Sequence, residues 1–192
     1  PRKRHDDFVD ALASTFSKVV VGDPFDMSTQ MGPLAMERQR DKVLSMIEQG
    51  KTEAKLVTGG GRPAHLERGY YVEPTVFADV ANTSTIAQEE IFGPVLSVIP
   101  AADEEDAIRI ANDTIYGLNA SVFTPDADKA RAVAARLRSG TVGHNGFRTD
   151  FGIAFGGFKQ SGIGREGGVE GLKPYLETKT VILEGTPAAY GG

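Results

Sequence analysis

The chain has 192 residues, of which 40% are hydrophobic and 24% charged, so it can bury the core of one domain with, at most, a small appendage. Its formal charge of −5 at pH 7 argues against binding to nucleic acid, which requires a basic face. It contains no cysteine, which excludes disulfides, a thiolate nucleophile and thiolate metal ligands among these residues.

Neither the histidines nor the hydropathy indicate a metal site or a membrane segment. The three histidines, His5, His65 and His144, are far apart and lack metal-ligand spacing, so we interpret them as surface or core-edge residues. No apolar run approaches the ~20 residues of a membrane span. The basic start at residues 1–6 is not followed by the apolar segment of a signal peptide. We expect a cytoplasmic protein without a metal ion and without membrane or nucleic-acid partners.

The first half of the chain predicts two helices and three strands. An apolar stripe from Phe8 to Val19 indicates a helix, and the acids before it suit the positive end of the helix dipole. Gly32-Pro33 is interpreted as the start of a second helix, with proline near its first position, that ends near Gly50. Strand candidates follow at residues 55–58, 70–77 and 95–99. Pro74 lies within the second candidate and predicts an edge or bulged strand there.

The second half alternates helices and strands. Asp103 is predicted to cap a helix, and a strand follows at 118–123. Thr124-Pro125 is interpreted as the cap and first residue of a further helix, which leads into a strand at 141–145. This order favours an α/β fold with a mostly parallel sheet flanked by helices. A last strand at 178–183 has nothing after it to cover it, so we expect it to pair with an edge in another subunit or domain.

Two stretches are candidates for a functional site. In residues 88–95, Glu89 and Glu90 lie beside Phe92, just before a strand. The segment is either a solvated acidic turn or a hydroxyl-binding carboxylate with a flat apolar wall. Residues 146–171 interleave phenylalanines with glycines, and either line a binding cleft or plug the end of the sheet. Within them, residues 162–167 match GxGxxG, but no buried strand precedes the match and glycines interrupt the helix that should follow, so we reject a dinucleotide fingerprint.

Five segments resemble the NAD(P)-dependent aldehyde dehydrogenase superfamily, and they occur along the chain in the order that the family has them. They are Gln88–Val95 (QEEIFGPV), Gly22-Asp23-Pro24 with Met31–Leu34, Ala111–Leu118, Phe155–Glu166 (FGGFKQSGIGRE) and the closing strand at Lys179–Val181. In this family a cysteine thiolate attacks an aldehyde, hydride passes to the nicotinamide, and a glutamate-activated water hydrolyses the thioester. The resemblance implies the fold of that family's catalytic domain.

The resemblance also implies which part of the family the chain represents. The family's cysteine, general-base glutamate and nucleotide-binding domain all precede the matching segments, so we expect NAD or NADP to be bound mainly by a domain outside these residues. Residues 1–175 would be the part of the catalytic domain that follows the cysteine. Residues 176–192 would be the oligomerisation strand and tail of a homo-oligomer, a dimer or tetramer. The chain alone is then expected to be inactive.

Eight residues receive expected roles from the resemblance. Glu90 resembles the acceptor of the nicotinamide ribose hydroxyls, and Phe92 resembles the aromatic residue that packs beside them. Gln39 and Lys42 match polar positions near the cofactor. Phe155 resembles the aromatic residue beside the aldehyde tunnel, and the loop 146–154 corresponds to the substrate-anchoring loop. Its substrate-binding candidates are Arg148, Asp150 and Phe151.

No catalytic residue is expected among the 192 residues. The leading interpretation is therefore a segment of an oxidoreductase that contributes to a cofactor and aldehyde cleft. The alternative is a non-catalytic fragment or paralogue that acts in binding or assembly through its exposed strand.

Overall fold

The computed structural model describes residues 1–148 and 150–188. They divide into two compact units, Pro1–Ile115 and the residues from Tyr116 onward. The helices are α1 (His5–Phe16), α2 (Glu37–Glu53), α3 (Thr85–Gln88), α4 (Glu104–Asn112), α5 (Ala127–Ala134) and α6 (Gly168–Leu172). The strands are β1 (Lys55–Thr58), β2 (Thr75–Ala78), β3 (Val95–Ser97), β4 (Asn119–Val122) and β5 (Thr141–His144). Two of the three strand pairings are parallel, which confirms the predicted α/β fold with a mostly parallel sheet.

The first unit is a three-stranded sheet with helices on both faces. Its strand order is β1-β2-β3, in which β2 pairs antiparallel with β1 and parallel with β3. Successive side chains of a strand point to opposite faces. Val76 and Ala78 accordingly pack with Val9 of α1, whereas Phe77 packs with Val43 and others from α2. The sheet is thus buried on both sides, and the face toward α2 supports the residues just before β3.

The predicted start of α2 at Gly32-Pro33 was wrong, because the helix begins at Glu37. The backbone N–H of Leu34 donates to the carbonyl of Tyr70 at 3.0 Å, and this long-range bond keeps the preceding residues out of the helix. The helix also runs past the predicted end near Gly50 to Glu53.

Of the two alternatives for this strand, the edge position was wrong, since β2 lies at the centre of the sheet. The pairing of β2 with β1 does contain a register shift, between Leu56 and Thr58 of β1. It begins directly after Pro74, so the missing proline N–H falls outside the ladder. Thr75 is fully buried, and its hydroxyl donates to the carbonyl of Glu73 at 2.8 Å and accepts from the N–H of Gly60 at 3.0 Å. The hydroxyl of Thr75 therefore provides a hydrogen-bond acceptor for the buried backbone N–H of Gly60.

Glu53, at the end of α2, connects that helix to α3. Its Oε1 accepts hydrogen bonds from Gln49 at 2.8 Å and from the hydroxyl of Thr85 at 2.7 Å, and its Oε2 accepts from the N–H of Ile86 at 3.3 Å. These bonds, that of Gln49 first, lower the pKa of the Glu53 carboxyl. The short helix before the candidate cofactor segment is thereby tied to α2.

The second unit contains a βαβ arrangement in which β4 and β5 are parallel and α5 lies between them in sequence. Asp126 is the N-cap of α5, because its Oδ1 accepts the N–H groups of Asp128 and Lys129 at 2.9 and 3.1 Å. The interpretation of Thr124-Pro125 as cap and first helical residue was therefore two residues early. The predicted cap of α4 is confirmed, since Asp103 Oδ1 accepts the N–H of Asp106 at 2.8 Å.

Residues 176–183 form no strand within this chain, and Val181 and Ile182 are exposed. Their pairing with another subunit stays a prediction, as does the domain division after residue 175. Residues 149 and 189–192 of the predicted substrate loop and tail lie outside the described residues. Across residues 1–148 and 150–188, none of the helices combines the length and hydropathy needed to cross a membrane.

Candidate cofactor and substrate sites

The candidate cofactor segment leaves the end of α3 and leads into β3. Ile91 is buried in the core beside α2 and anchors the segment. On either side of it, the side chains of Glu90 and Phe92 are exposed, the latter by 70%. Phe92 has a φ of +55°, a left-handed conformation that is uncommon for a bulky residue. The segment therefore presents a carboxylate and an aromatic ring from a backbone that is held in an unusual shape.

The backbone of this segment is held by two side chains of α2. Gln39 donates through Nε2 to the carbonyl oxygens of Ile91 and Phe92 at 3.0 and 2.8 Å. Lys42 donates through Nζ to the carbonyl of Glu90 at 2.9 Å, and the same ammonium lies 5.9 Å from the centre of the Phe92 ring. The structure thus brings all four expected cofactor residues together.

Close contact between Gly93 and α2 allows these bonds to form. A Cβ atom on Gly93 would lie 2.6 and 2.7 Å from the two Cγ atoms of Val43, which is completely buried. Only a residue without a side chain permits this approach. The glycine of the sequence motif is therefore required by packing.

The exposed groups of the segment suit the ribose and nicotinamide of a dinucleotide. An ionised carboxylate has only acceptor oxygens, and it can hold two neighbouring hydroxyls at once. The Phe92 ring beside it offers a flat apolar surface. Gln39 and Lys42 bind backbone carbonyls, and the exposed carboxylate of Glu90 makes no hydrogen bond or ion pair within residues 1–148 and 150–188, so both of its oxygens can face a ligand.

The second unit contains a cavity of about 300 Å³. Its apolar lining comes from Phe147, Phe151, Ile153, Ala154 and Phe155, and its charged lining from Arg148, Asp150 and Glu166. All four expected substrate residues are thus brought to one cavity. Arg148 donates to Asp150 Oδ2 at 3.3 Å, so these two residues of the loop form an ion pair.

The glycine-rich stretch forms the wall of this cavity through backbone pairing. Phe155 and Glu166 exchange two backbone hydrogen bonds of 2.7 Å, which join two positions eleven residues apart within the stretch. Residues Lys159–Ser161 before the GxGxxG match form a 3₁₀ turn, and α6 after it has five residues. This context agrees with the rejection of a dinucleotide fingerprint.

The expected cofactor residues lie in the first unit, and the expected substrate residues lie in the second. Over residues 1–148 and 150–188, no group of three or more histidine or acidic side chains is arranged to hold a metal ion. Sequence reasoning did not foresee that Gln39 and Lys42 would hold the backbone. Their spacing of three residues within a helix, which places them on one face, was the available signal.

A model of the aldehyde dehydrogenase family matches residues 1–181. The geranial dehydrogenase of Castellaniella defragrans is 50% identical over 185 residues, which cover 96% of this chain and 38% of that protein. The betaine aldehyde dehydrogenase of Brucella melitensis is 49% identical over 181 residues, which cover 92% of this chain and 37% of the relative. The chain thus spans less than two fifths of the length of these relatives.

Solved structures show the same fold. An aldehyde dehydrogenase of Mycobacterium tuberculosis in complex with NAD+ superposes with a TM-score of 0.93 at 49% identity, covering 100% of this chain and 39% of the other. A mutant of aldehyde dehydrogenase C of Pseudomonas syringae, in complex with NAD+ and octanal, superposes with a TM-score of 0.90 at 48% identity, covering 93% and 37%. The likeness extends over both units of this chain.

Proposed function

This chain belongs to the aldehyde dehydrogenase family, and we propose that it contributes part of the cofactor and substrate sites of an enzyme that oxidises aldehydes to carboxylic acids with NAD(P)+. The observation that carries the proposal is the exposed pair of Glu90 and Phe92 on a backbone held by α2. The NAD+ complexes of similar structures support the choice of cofactor.

In this proposal the residues of the first unit orient the dinucleotide. When bound, the nicotinamide supplies the hydride acceptor. Glu90 accepts hydrogen bonds from the ribose hydroxyls, and Phe92 limits the positions that the sugar and ring can take. Orientation of this kind matters because hydride transfer requires the reacting atoms to be held at near-contact distance.

The proposal is tested by Glu90→Gln in the protein encoded by the complete open reading frame. Hydrogen bonds to a charged group contribute about 1.5–3 kcal/mol, so hydride transfer in a single turnover should slow about tenfold to a hundredfold. Glu89→Gln is the matched control, because Glu89 is adjacent and exposed but has no assigned role. Equal rates in Glu90→Gln and wild type would refute the assignment.

The 192 residues alone contain no cysteine, and we infer that they do not oxidise aldehydes. The measurement is NAD+-dependent oxidation by the purified chain, with the complete protein as positive control. Activity that survives removal of contaminating enzymes would contradict the inference.

The cavity of the second unit supports an aldehyde with an uncharged apolar tail. Half of its ten lining residues are phenylalanine, isoleucine or alanine, and such a surface binds hydrocarbon. A quaternary ammonium is the competing class, because aromatic rings attract such cations and Glu166 adds a carboxylate to the lining. The similar proteins include both a geranial and a betaine aldehyde dehydrogenase, so the family alone does not decide between these substrate classes.

Comparison of octanal with betaine aldehyde tests this substrate class. We expect a higher kcat/KM for octanal, and Phe151→Ala should lower it about fivefold, for roughly 1 kcal/mol of lost apolar contact. The short substrate acetaldehyde is the control, since it cannot reach as far along the cavity. A preference for betaine aldehyde would overturn the proposed class.

Assembly is the second proposed role, because residues 178–183 form neither a helix nor a strand in this chain and their apolar side chains are exposed. We propose that it pairs with a second copy in a homo-oligomer and that the protein is cytoplasmic. Ile182→Lys should then reduce the oligomer in sedimentation experiments, whereas Lys179→Arg, which keeps the charge, should not. An unchanged oligomer in Ile182→Lys would exclude this segment from the interface.

A further inference from the structure

The side-chain amide of Gln39 donates hydrogen bonds to two backbone carbonyls of the candidate cofactor segment. A side-chain amide has two N–H groups, and here Nε2 reaches two consecutive carbonyls, those of Ile91 and Phe92, at 3.0 and 2.8 Å. We propose that Gln39 is a positioning residue that holds Phe92 in its left-handed conformation. The inference rests on the proposed function only in so far as Glu90 and Phe92 orient the cofactor.

The conformation of Phe92 needs such support. A bulky residue at positive φ is strained, and strain of this kind persists only where the surroundings determine the backbone. The ring is 70% exposed, so packing of the side chain does not supply that support. The net gain from two hydrogen bonds is comparable with the cost of the conformation. The balance therefore depends on the amide of Gln39.

Lys42 binds the backbone carbonyl of the residue that precedes those bound by Gln39. It lies one turn along α2 from Gln39, so both side chains leave the same face of the helix. Its Nζ donates to the carbonyl of Glu90 at 2.9 Å, and three consecutive carbonyls of the segment are thus bound by two side chains. A change of φ at Phe92 would redirect its ring relative to the carboxylate of Glu90. Gln39 therefore controls the relative placement of the two groups that face the ligand.

The hydrogen bonds themselves can be tested in the 192-residue chain without any cofactor. Chymotrypsin cleavage after Phe92 requires this backbone to leave its bound conformation. Gln39→Met keeps the length of the side chain and removes both donors, so cleavage after Phe92 should accelerate about tenfold relative to cleavage after the buried Phe77. Arg38→Met, which introduces the same residue at the adjacent exposed position of the helix, should leave the ratio as in wild type.

An unchanged ratio in Gln39→Met, or an equal rise after Phe92 and Phe77, would overturn the proposal. If Gln39→Met does not fold, the wild-type chain still provides the test. Scalar couplings across the hydrogen bonds, measured by NMR between Nε2 of Gln39 and the carbonyl carbons of Ile91 and Phe92, should be present. Their absence would equally overturn the proposal.

The effect on chemistry is measured in the protein from the complete open reading frame. Gln39→Met should slow single-turnover hydride transfer by about tenfold to a hundredfold, because it misplaces the ring and the carboxylate. The Kd for NAD+ should change by less than about threefold, since Nε2 of Gln39 already donates to two backbone carbonyls and the proposed role is positioning. Equal losses in rate and affinity would indicate a direct ligand and refute the positioning role.

The cleavage experiment on the 192-residue chain and the kinetic experiment on Glu90→Gln separate this inference from the proposed function. If Glu90→Gln has no effect but Gln39→Met releases the Phe92 backbone, the proposed function fails and the hold on the backbone stands. If Glu90→Gln slows hydride transfer but Gln39→Met leaves the cleavage ratio unchanged, the cofactor assignment stands and the positioning role fails.

Discussion

Replacement of Gly93 by alanine measures how tightly the candidate cofactor segment is held against α2. The new Cβ would lie 2.6 Å from a Cγ atom of Val43, whereas carbon atoms in contact are normally about 3.5–4.0 Å apart. Val43 cannot swing away, because it is fully buried and a β-branched residue in a helix has one preferred rotamer. The segment must therefore move outward by about 1 Å.

That movement has a predictable magnitude. Overpacking of this kind costs about 1–3 kcal/mol. A shift of about 1 Å also carries the carbonyls of Ile91 and Phe92 beyond hydrogen-bonding range of Gln39, at about 0.5–1.5 kcal/mol for each bond. Alanine restricts the unfolded chain more than glycine does, which offsets about 0.4–1 kcal/mol. We expect a net loss of about 1–6 kcal/mol in the free energy of unfolding of the first unit.

Urea unfolding followed by circular dichroism provides the measurement. The double variant Gly93→Ala with Val43→Ala should be less destabilised than the sum of the single variants, because the smaller residue 43 admits the new methyl group. Gly61→Ala is the matched control, since its Cβ would meet only Glu73 Oε2, at an ordinary 3.6 Å. A Gly93→Ala chain within about 0.5 kcal/mol of wild type, or strictly additive variants, would refute the reasoning.

Three further predictions concern residues that stabilise the first unit, which carries the candidate cofactor segment. Thr75→Val should destabilise the chain by about 1–3 kcal/mol, because it leaves a buried N–H without its acceptor. Asp103→Ala should cost about 1 kcal/mol through loss of the cap of α4. Hydrogen bonds from Gln49 and Thr85 lower the pKa of the Glu53 carboxyl, so its stabilisation is present above about pH 4.5, its ordinary pKa, and is lost as the pH falls through the lowered value. Glu53→Gln should therefore be less stable than wild type at pH 7, and the difference should shrink on acidification.

Each of these has a control in urea unfolding experiments. Thr75→Ser keeps the hydroxyl and should lose less than Thr75→Val, and equal losses would mean that the hydrogen bond contributes nothing. Asp103→Asn keeps a capping oxygen and should stay near wild type, so a loss equal to that of Asp103→Ala would contradict the capping role. For Glu53, a difference from wild type that is the same at pH 7 and at acidic pH would contradict the linkage.

The sequence alone was sufficient for features that depend on local chemistry. The apolar stripe from Phe8 identified α1, and the acid at Asp103 identified the cap of α4, because periodicity and capping involve residues within a few positions of one another. The resemblance of residues 88–95 to a known family likewise selected Glu90 and Phe92 from among many acids and aromatics.

Errors arose where a distant partner overrode a local signal. Pro33 fits the start of a helix, but the bond from Leu34 to Tyr70 delays the helix to Glu37. Pro74 indicates an edge strand, but the strand starts after it and lies at the centre of the sheet. In both cases the local preference was compatible with more than one backbone path, and hydrogen bonds between distant residues decided the path.

The family, the α/β class and most of the helices and strands followed from the sequence itself, which also proposed Glu90 and Phe92 as the residues that face a cofactor. Only the tertiary structure showed that Gln39 and Lys42 bind the backbone of residues about fifty positions away, at 2.8 to 3.0 Å. The physical reason is that helix spacing places two side chains on one face, whereas the partner of that face depends on how the whole first unit packs. The left-handed turn at Phe92 and the contact of Gly93 with Val43 belong to that packing and have no local signal in the chain.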